Sequence, residues 1–337
     1  MLDYLKETFV KSMFRSKLVL WALVLCAPAL TQKNALAQES AQPIRLVLGY
    51  APGGPADQAA RLFALQLGKT LKTQVLVDNK PGANATIAGN EVARAKPDGN
   101  TLWFAASATV TVAPNVMKSM TLDPARDLAP LGPVARYYNM LVANVAQPYS
   151  TTQELVAFAK SKPGAINYGS SGVGSSNHVA AVLFAKKAGV EINHVPYKGN
   201  APAMTDMIGG QLNMLFDIVS TANAFVQSGK VKAIAVGSPR RSPLLPNVPT
   251  FRESGIAGLA DYESVGWYAI YAPKGLPQDL AEKLSNAVRQ TVSATEFKTR
   301  FAELGYEEWT GGAQDVVDTA SRERAQWADV LRGITLD

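Results

Sequence analysis

At 337 residues the chain is too long for one ordinary α/β core, and two lobes of roughly 100–200 residues each are the default expectation. Hydrophobic residues make up 47% and charged residues 18%, which excludes a disordered chain. The formal charge is +6, but beyond residue 37 only 28 cations and 25 anions remain, and no basic run is longer than a pair such as Arg240-Arg241, which argues against nucleic acid as a partner.

Lys11, Arg15 and Lys17 precede an uncharged apolar run, Leu18–Leu30, and Ala35-Leu36-Ala37 follows with small residues at the two positions a signal peptidase reads. This is the build of a secretory signal peptide over residues 1–37, cut after Ala37, with a periplasmic destination expected. The alternative is an uncleaved anchor helix, for which the run is short. Met13 offers an alternative start with a more ordinary leader. Cys26 is the only cysteine, and Leu25 before it lacks the small size a lipidation signal needs. Cleavage would leave no thiol for disulfides, nucleophiles or metal sites.

From Pro43 short apolar runs alternate with helical patterns. Ile44–Leu48 reads as a buried strand, Pro52-Gly53-Gly54-Pro55 as a break, and Ala56–Lys72 as an amphipathic helix with Ala60, Phe63, Ala64 and Leu67 on one face. A strand at Val75–Asp78, a helix at Gly89–Ala95 and a strand at Thr101–Ala105 follow, an alternation that implies a mainly parallel sheet covered by helices. Met140–Ala143 is another strand. A second block then places helices at Thr151–Lys160, Ser176–Lys187, Ala201–Gly209 and Thr221–Ser228. Its strands are Ile166–Tyr168, Met214–Phe216 and Ala233–Val236, with an extended segment at His194–Pro196. Trp267–Ala272 is a strand, and two helices, Asp279–Thr291 and Gln314–Arg332, end the chain. The two similar blocks predict lobe 1 from residues 43–140 plus 267–337 and lobe 2 from residues 141–266, with two crossing segments near Met140 and Trp267.

Two strand-to-helix loops carry the chemistry. In Tyr50-Ala51-Pro52-Gly53-Gly54-Pro55 the glycines allow a tight turn, and the free N–H groups of the next helical turn suit an anion. A plain structural turn fits the same spacing. Asp57 favours the helix dipole and lies four residues before Arg61, so an ion pair is expected. The second loop, Tyr168-Gly169-Ser170-Ser171-Gly172-Val173-Gly174-Ser175-Ser176, supplies three glycines and four serines at a helix N-terminus, a setting for a carboxylate or phosphate. It lacks the third glycine of a dinucleotide fingerprint, the Gly-Lys-Ser/Thr of a nucleotide-triphosphate loop and the Gly-x-Ser-x-Gly of a serine hydrolase. His178 fits a structural or ligand-donor role in the first helical turn better than a triad base, which needs an orienting acid. His178 and His194 are the only histidines and lack metal-ligand spacing, so neither a metal nor another cofactor is expected.

The motifs then occur in fixed order. Pro52-Gly53-Gly54-x-x-Asp57-x-x-Ala60-Arg61 is followed by Val77-Asp78-Asn79-Lys80-Pro81-Gly82-Ala83 and Ala95-Lys96-Pro97-Asp98-Gly99-Asn100-Thr101-Leu102. Tyr168-Gly169-Ser170-Ser171-Gly172-x-Gly174-Ser175, Val195-Pro196-Tyr197-Lys198-Gly199, Gly209-Gly210-Gln211 through Phe216-Asp217, and Pro246-Asn247-Val248-Pro249-Thr250 complete the series. Over roughly residues 43–330 the chain resembles the Bug-type (tripartite tricarboxylate transporter, TctC-like) periplasmic solute-binding proteins. The resemblance implies an α/β fold of two lobes, a type II Venus flytrap with two crossing segments. It implies a receptor, not an enzyme, that holds a small organic acid in the interlobe cleft and hands it to a membrane permease of the tripartite tricarboxylate type. A monomer is expected. The family's carboxylate contacts carry over onto Tyr50, Ala51, Pro52, Gly53 and Gly54, and onto Ser170, Ser171, Gly172, Gly174 and Ser175. Ser107 and Asp217 stand at strand ends where they would face the cleft, with His178 beside the second loop. Asn100 departs from the aromatic more usual at its position, which bears on local packing. A secreted hydrolase using a cleft serine and a ligand sensor for a kinase are the competing readings.

Overall fold

The computed structural model describes residues 42–332. The leader features, Leu18–Leu30, Cys26 and the expected cut after Ala37, lie outside the described residues. Among the described residues no helix is long and apolar enough to cross a membrane.

Strand β1 (Ile44–Leu48) leads through the proline–glycine loop into α1 (Pro55–Leu71), then β2 (Val75–Asn79), α2 (Thr86–Ala93) and β3 (Thr101–Ala106). A tight π-turn at Ala108–Val112 follows, and then the 17-residue strand β4 (Leu128–Asn144). The second block is α3 (Thr152–Ser161), β5 (Asn167–Ser170), α4 (Ser176–Ala188), β6 (Asn193–Pro196), α5 (Asn200–Ile208), β7 (Met214–Ile218), α6 (Val219–Gln227) and β8 (Val231–Val236). The chain closes with β9 (Val265–Pro273), α7 (Gln278–Ser293), α8 (Thr295–Glu303), β10 (Glu307–Glu308) and α9 (Ala313–Val330).

The strands line up as β2-β1-β3-β9-β4-β7-β5-β6, with β8 and β10 also paired to β4. The sheet is mixed, which corrects the expectation of a mainly parallel one. Pairs β1–β2, β1–β3, β5–β6 and β5–β7 are parallel, as strand–helix–strand units require. Strands β4 and β9 run between the two halves and meet each other and their other neighbours antiparallel. Residues Leu128–Tyr138 of β4 pair with β9, whereas Asn139–Asn144 pair with β7 and β8. The first part of β4 contains Pro130, Gly132 and Pro133, which hid it from sequence reading. Register shifts at Pro130/Gly132 and Pro133/Ala135 let the ladder absorb them.

Each half-sheet is buried on both faces, and the alternation is readable in the residues. In the first half Leu46, Leu48, Leu102 and Phe104 face α1 and its Phe63, while Val47 and Trp103 point the other way to Trp267 and Trp309. In the second, Leu141 and Phe216 join Phe184, Phe251 and Tyr262, and Met140, Val142 and Leu215 meet Met204 and Met207. Every such Leu or Phe contributes about 1.5–3 kcal/mol of apolar burial. The helix expected at Gly89–Ala95 starts instead at Thr86, because a one-turn 3-10 helix at Ala83–Ala85 feeds straight into it. Helix α8, absent from the sequence reading, packs Phe297 and Phe301 into the first core.

Where the halves meet, Asn139 N–H donates to Ser264 O, Gly237 N–H donates to Asn139 O, and Asn139 Nδ2 donates to Ser264 Oγ at 2.9 Å. A Cβ on Gly237 would lie 2.9 Å from both Asn139 O and Ser264 Cβ, so only glycine fits there. Helix α9 begins against the first half through Val316 and ends with Trp327 and Val330 against the second. Between them Glu323 accepts a hydrogen bond from Trp267 Nε1 at 2.9 Å. Burial raises its carboxyl to about 7, opposed by bonds from Trp267 and Thr111.

Candidate functional site

The proline–glycine loop leaves β1 and enters α1 with Gly54 as its extended N-cap and Pro55 in the first turn. Ala51, Pro52 and Gly53 are exposed, and Gly53 has a φ of 83°, which suits glycine. The loop is held from behind by Asp57. Its carboxylate accepts from Gly53 N–H, Arg61 Nε and Asn79 Nδ2, each at 2.9 Å, and Asn79 also donates to Tyr50 O. Burial opposes the charge on Asp57, but the bonds from Arg61, Gly53 and Asn79 outweigh it and hold the carboxyl below its ordinary value. The expected Asp57–Arg61 ion pair is present.

The serine–glycine loop is built differently. Gly172 and Gly174 have φ values of 126° and 74°, conformations that side chains with a Cβ rarely adopt. Ser175 is the N-cap of α4: its hydroxyl accepts from His178 N–H at 3.4 Å and donates to Gly172 O at 2.6 Å. Ser171 donates to Asn177 Oδ1 at 2.7 Å, and Asn177 Nδ2 donates to Phe216 O at 2.7 Å. Ser170, fully buried, accepts from Gly172 N–H at 3.1 Å and meets His194 Nε2 at 2.7 Å. His178 Nδ1 accepts from Gly174 N–H at 3.2 Å. The hydroxyls of Ser170, Ser171 and Ser175 therefore bind the loop to itself, where sequence reasoning treated them as donors to a ligand. The N–H groups of Ser176 and Asn177, first in the helix, have no acceptor among the described residues.

Burial pushes His178 down to about 3, with His194 beside it adding to the effect, and burial pushes His194 down to about 4. Both rings are neutral at neutral pH. Among the described residues no carboxylate is hydrogen-bonded to either ring, and Ser170 is fully buried, so the Ser170–His194 pair lacks the parts of a hydrolytic triad. Among the described residues no group of three or more His, Cys, Asp or Glu could hold a metal ion.

The two loops are joined through side chains that the sequence reading did not single out. Tyr50 faces Thr109 in the π-turn, Thr109 donates to Asn84 O at 2.8 Å, and Asn84 Nδ2 donates to Gly174 O at 3.1 Å. Asn84 sits at a φ of 49° between Ala83 and Ala85, also at positive φ, and an Asn at the centre of such a turn is the one signal that could have marked it. The Tyr137 hydroxyl faces Ser176 of the second half and Ser107 of the first. Ser107 accepts from Trp267 N–H at 3.2 Å, so it is tied to β9. Tyr306 donates to Pro55 O at 3.0 Å.

Asp217 is buried at the end of β7 and accepts from Asn200 Nδ2 and from Ile218 N–H, the latter at 2.7 Å. Burial raises its carboxyl to about 6 against the bonds from Thr221, Ile218 and Asn200. Its oxygens serve its own neighbours first, whereas the sequence reading placed them toward a ligand.

This architecture matches known proteins. The model of the tripartite tricarboxylate transporter family receptor, TctC, matches residues 59–336. Among solved structures, R. palustris Rpa4515 with adipate superposes with a TM-score of 0.82 at 29% identity, covering 87% of this chain and 97% of that one. The periplasmic binding protein BugD gives 0.79 at 32% identity, covering 86% and 96%. MatC from Rhodopseudomonas palustris with bound malate gives 0.79 at 28% identity, covering 86% and 99%. On the family match and these folds, the chain belongs to the TctC family, the periplasmic solute-binding receptors of the tripartite tricarboxylate transporters.

Proposed function

We propose that this chain is an extracytoplasmic receptor that captures a small organic acid between its two halves and delivers it to a tripartite tricarboxylate-type permease. The observation that carries this reading is the first turn of α4. The Ser176 and Asn177 amides and the Ser176 hydroxyl stand at a helix N-terminus with no acidic side chain in that turn. Such a turn favours a carboxylate oxygen. The loop Tyr50–Gly54, exposed at Ala51, Pro52 and Gly53, is proposed to close the other side, with Tyr137 and Ser107 between. Two relatives in the fold are solved with adipate and with malate, both dicarboxylates. The residues proposed to surround the acid are Tyr50, Ala51, Pro52, Gly53, Gly54, Ser107, Ser170, Ser171, Gly172, Gly174, Ser175, His178 and Asp217. Of these, Ser170, Ser175, His178 and Asp217 act by shaping the site.

The halves, residues 43–140 with 267–337 and residues 141–266, are proposed to move as lobes about Asn139 and Ser264, in a monomer exported by its N-terminal leader. The deciding experiment is a thermal-shift and calorimetric screen against adipate, malate, other mono- and dicarboxylates, amino acids and aromatic acids. A binder at 100 times its dissociation constant adds about 2.7 kcal/mol to stability. If no acid in the panel raises the melt, the reading fails. Turnover of a carboxylic ester by the purified protein would replace it with the hydrolase reading.

A further inference from the structure

His194 has no place in the family motifs quoted above, yet it stands directly behind the serine–glycine loop. Its ring stacks on His178 with centroids 4.1 Å apart and on Tyr168 at 5.0 Å, and Tyr168 and His178 lie 6.4 Å apart, so three rings from β5, α4 and β6 form one cluster. The cluster touches the loop at two points, Ser170 Oγ to His194 Nε2 and Gly174 N–H to His178 Nδ1. Proton counting favours one direction for the first contact. Gly172 O receives both the N–H and the O–H of Ser175, at 3.2 and 2.6 Å, which occupies its two lone pairs. The single proton of Ser170 then goes to His194 Nε2 at 2.7 Å rather than to Gly172 O at 3.0 Å. Ser170 in turn accepts from Gly172 N–H. Both imidazoles are thus acceptors, and each holds one of the two glycines whose φ only glycine favours.

We propose that His194 is a positioning residue for the anion-binding loop: acting through Ser170 and its stack on His178, it holds Gly172 and Gly174 so that the first-turn amides of α4 point at the ligand. The inference rests on the carboxylate reading of that loop for its purpose, but not for its test. A neutral ring is required at both contacts, and burial keeps both rings neutral well below pH 6. Among the described residues the ionisable groups in ring contact with the pair are each other and Tyr168.

The test has a ligand-free arm and a ligand arm. Hydrogen exchange at the Gly172 and Gly174 amides is compared in the parent, His194→Ala and His194→Gln. Losing one neutral hydrogen bond should accelerate exchange about threefold to tenfold in His194→Ala. In His194→Gln, whose amide oxygen can accept from Ser170, parent-like protection should return. If His194→Ala protects both amides as the parent does, the proposal is overturned. If that variant does not fold, nitrogen NMR of the unsubstituted protein decides: an unprotonated Nε2 on His194 supports the proposal, and a protonated donor Nε2 overturns it. Calorimetry with adipate and malate on the folded proteins should then show an approximately threefold to tenfold loss for alanine and recovery for glutamine. Failure of the parent itself to bind either acid counts against the carboxylate reading and leaves the exchange result standing.

Discussion

The two loops share one grammar, strand, glycine turn and helix, and differ in what completes the helix N-terminus. At α1 a carboxylate from the helix itself, Asp57, takes Gly53 N–H and complements the positive end of the helix. At α4 no acidic residue lies in the first turn, and the turn is braced by hydroxyls and neutral imidazoles instead. A bracing group without charge leaves the electrostatic pull of the helix available. The first loop is therefore suited to contact a ligand by shape and exposure, and the second to hold its charge. Two equivalent anion sites, as the sequence reading of both loops implied, would require both helix ends to be free of internal acids.

The largest expected effect comes from making the loops alike. Ser176→Asp places a carboxylate in the first turn of α4. Two like charges at 4 Å repel by about 4 kcal/mol at an effective dielectric of 20, so affinity for an acid identified in the screen should fall by more than about a hundredfold. The reciprocal change, Asp57→Asn, should lower the melt through lost charged hydrogen bonds while leaving that affinity within about threefold. Calorimetry on both variants checks the pair, and equal losses of affinity would erase the distinction between the loops.

Ser175→Ala is expected to do less to binding. Its hydroxyl caps a helix, so stability should drop by about 1 kcal/mol, with affinity changing only a few-fold as the loop loosens. A denaturant melt beside a titration separates the two effects. A loss of affinity of a hundredfold with an unchanged melt would show that the hydroxyl touches the ligand directly.

The smallest effect concerns pH. His178 and His194 have lowered values, near 3 and 4, so below about 6.5 the unfolded chain binds more protons and stability falls on acidification. Asp217 and Glu323 have raised values, near 6 and 7, so the folded chain binds more protons in the same range and stability falls as pH rises. The two sets oppose each other between about pH 4.5 and 6.5. Glu323→Gln removes one member of the second set. Its melting temperature should rise with pH across that window more steeply than the parent's, and parallel curves would refute the assignment.

Much of the fold was legible because its periodicities are strong. Strands such as Ile44–Leu48 and Met214–Ile218 are buried on both faces and read as short apolar runs, and the helix expected at Thr151–Lys160 is present as α3, opened by a capping box of Thr151 and Glu154. Strand β4 before Asn139 was illegible because Pro130 and Pro133 argue against a strand unless bulges accommodate them, and bulges leave no trace in composition. Within the loops, the sequence displayed the serines and glycines but not the direction of their hydrogen bonds. Asn84, Tyr137 and His194 were missed because each meets its partner across a large sequence separation: 90 residues from Asn84 to Gly174, 24 from His194 to Ser170. Local pattern carries no information at that range.

The long strand β4 belongs to both half-sheets without interruption, and β9 returns beside it with Ser264 locked to Asn139. Paired strands resist shear and stretching, and β4 changes partners at one point, from β9 to β7 and β8 after Tyr138. The lobe movement proposed above would flex about a line through that point, much as a book opens along its spine. An opening so guided would present the same two faces at every cycle, and a docking partner could register whether the pages are shut by measuring one angle.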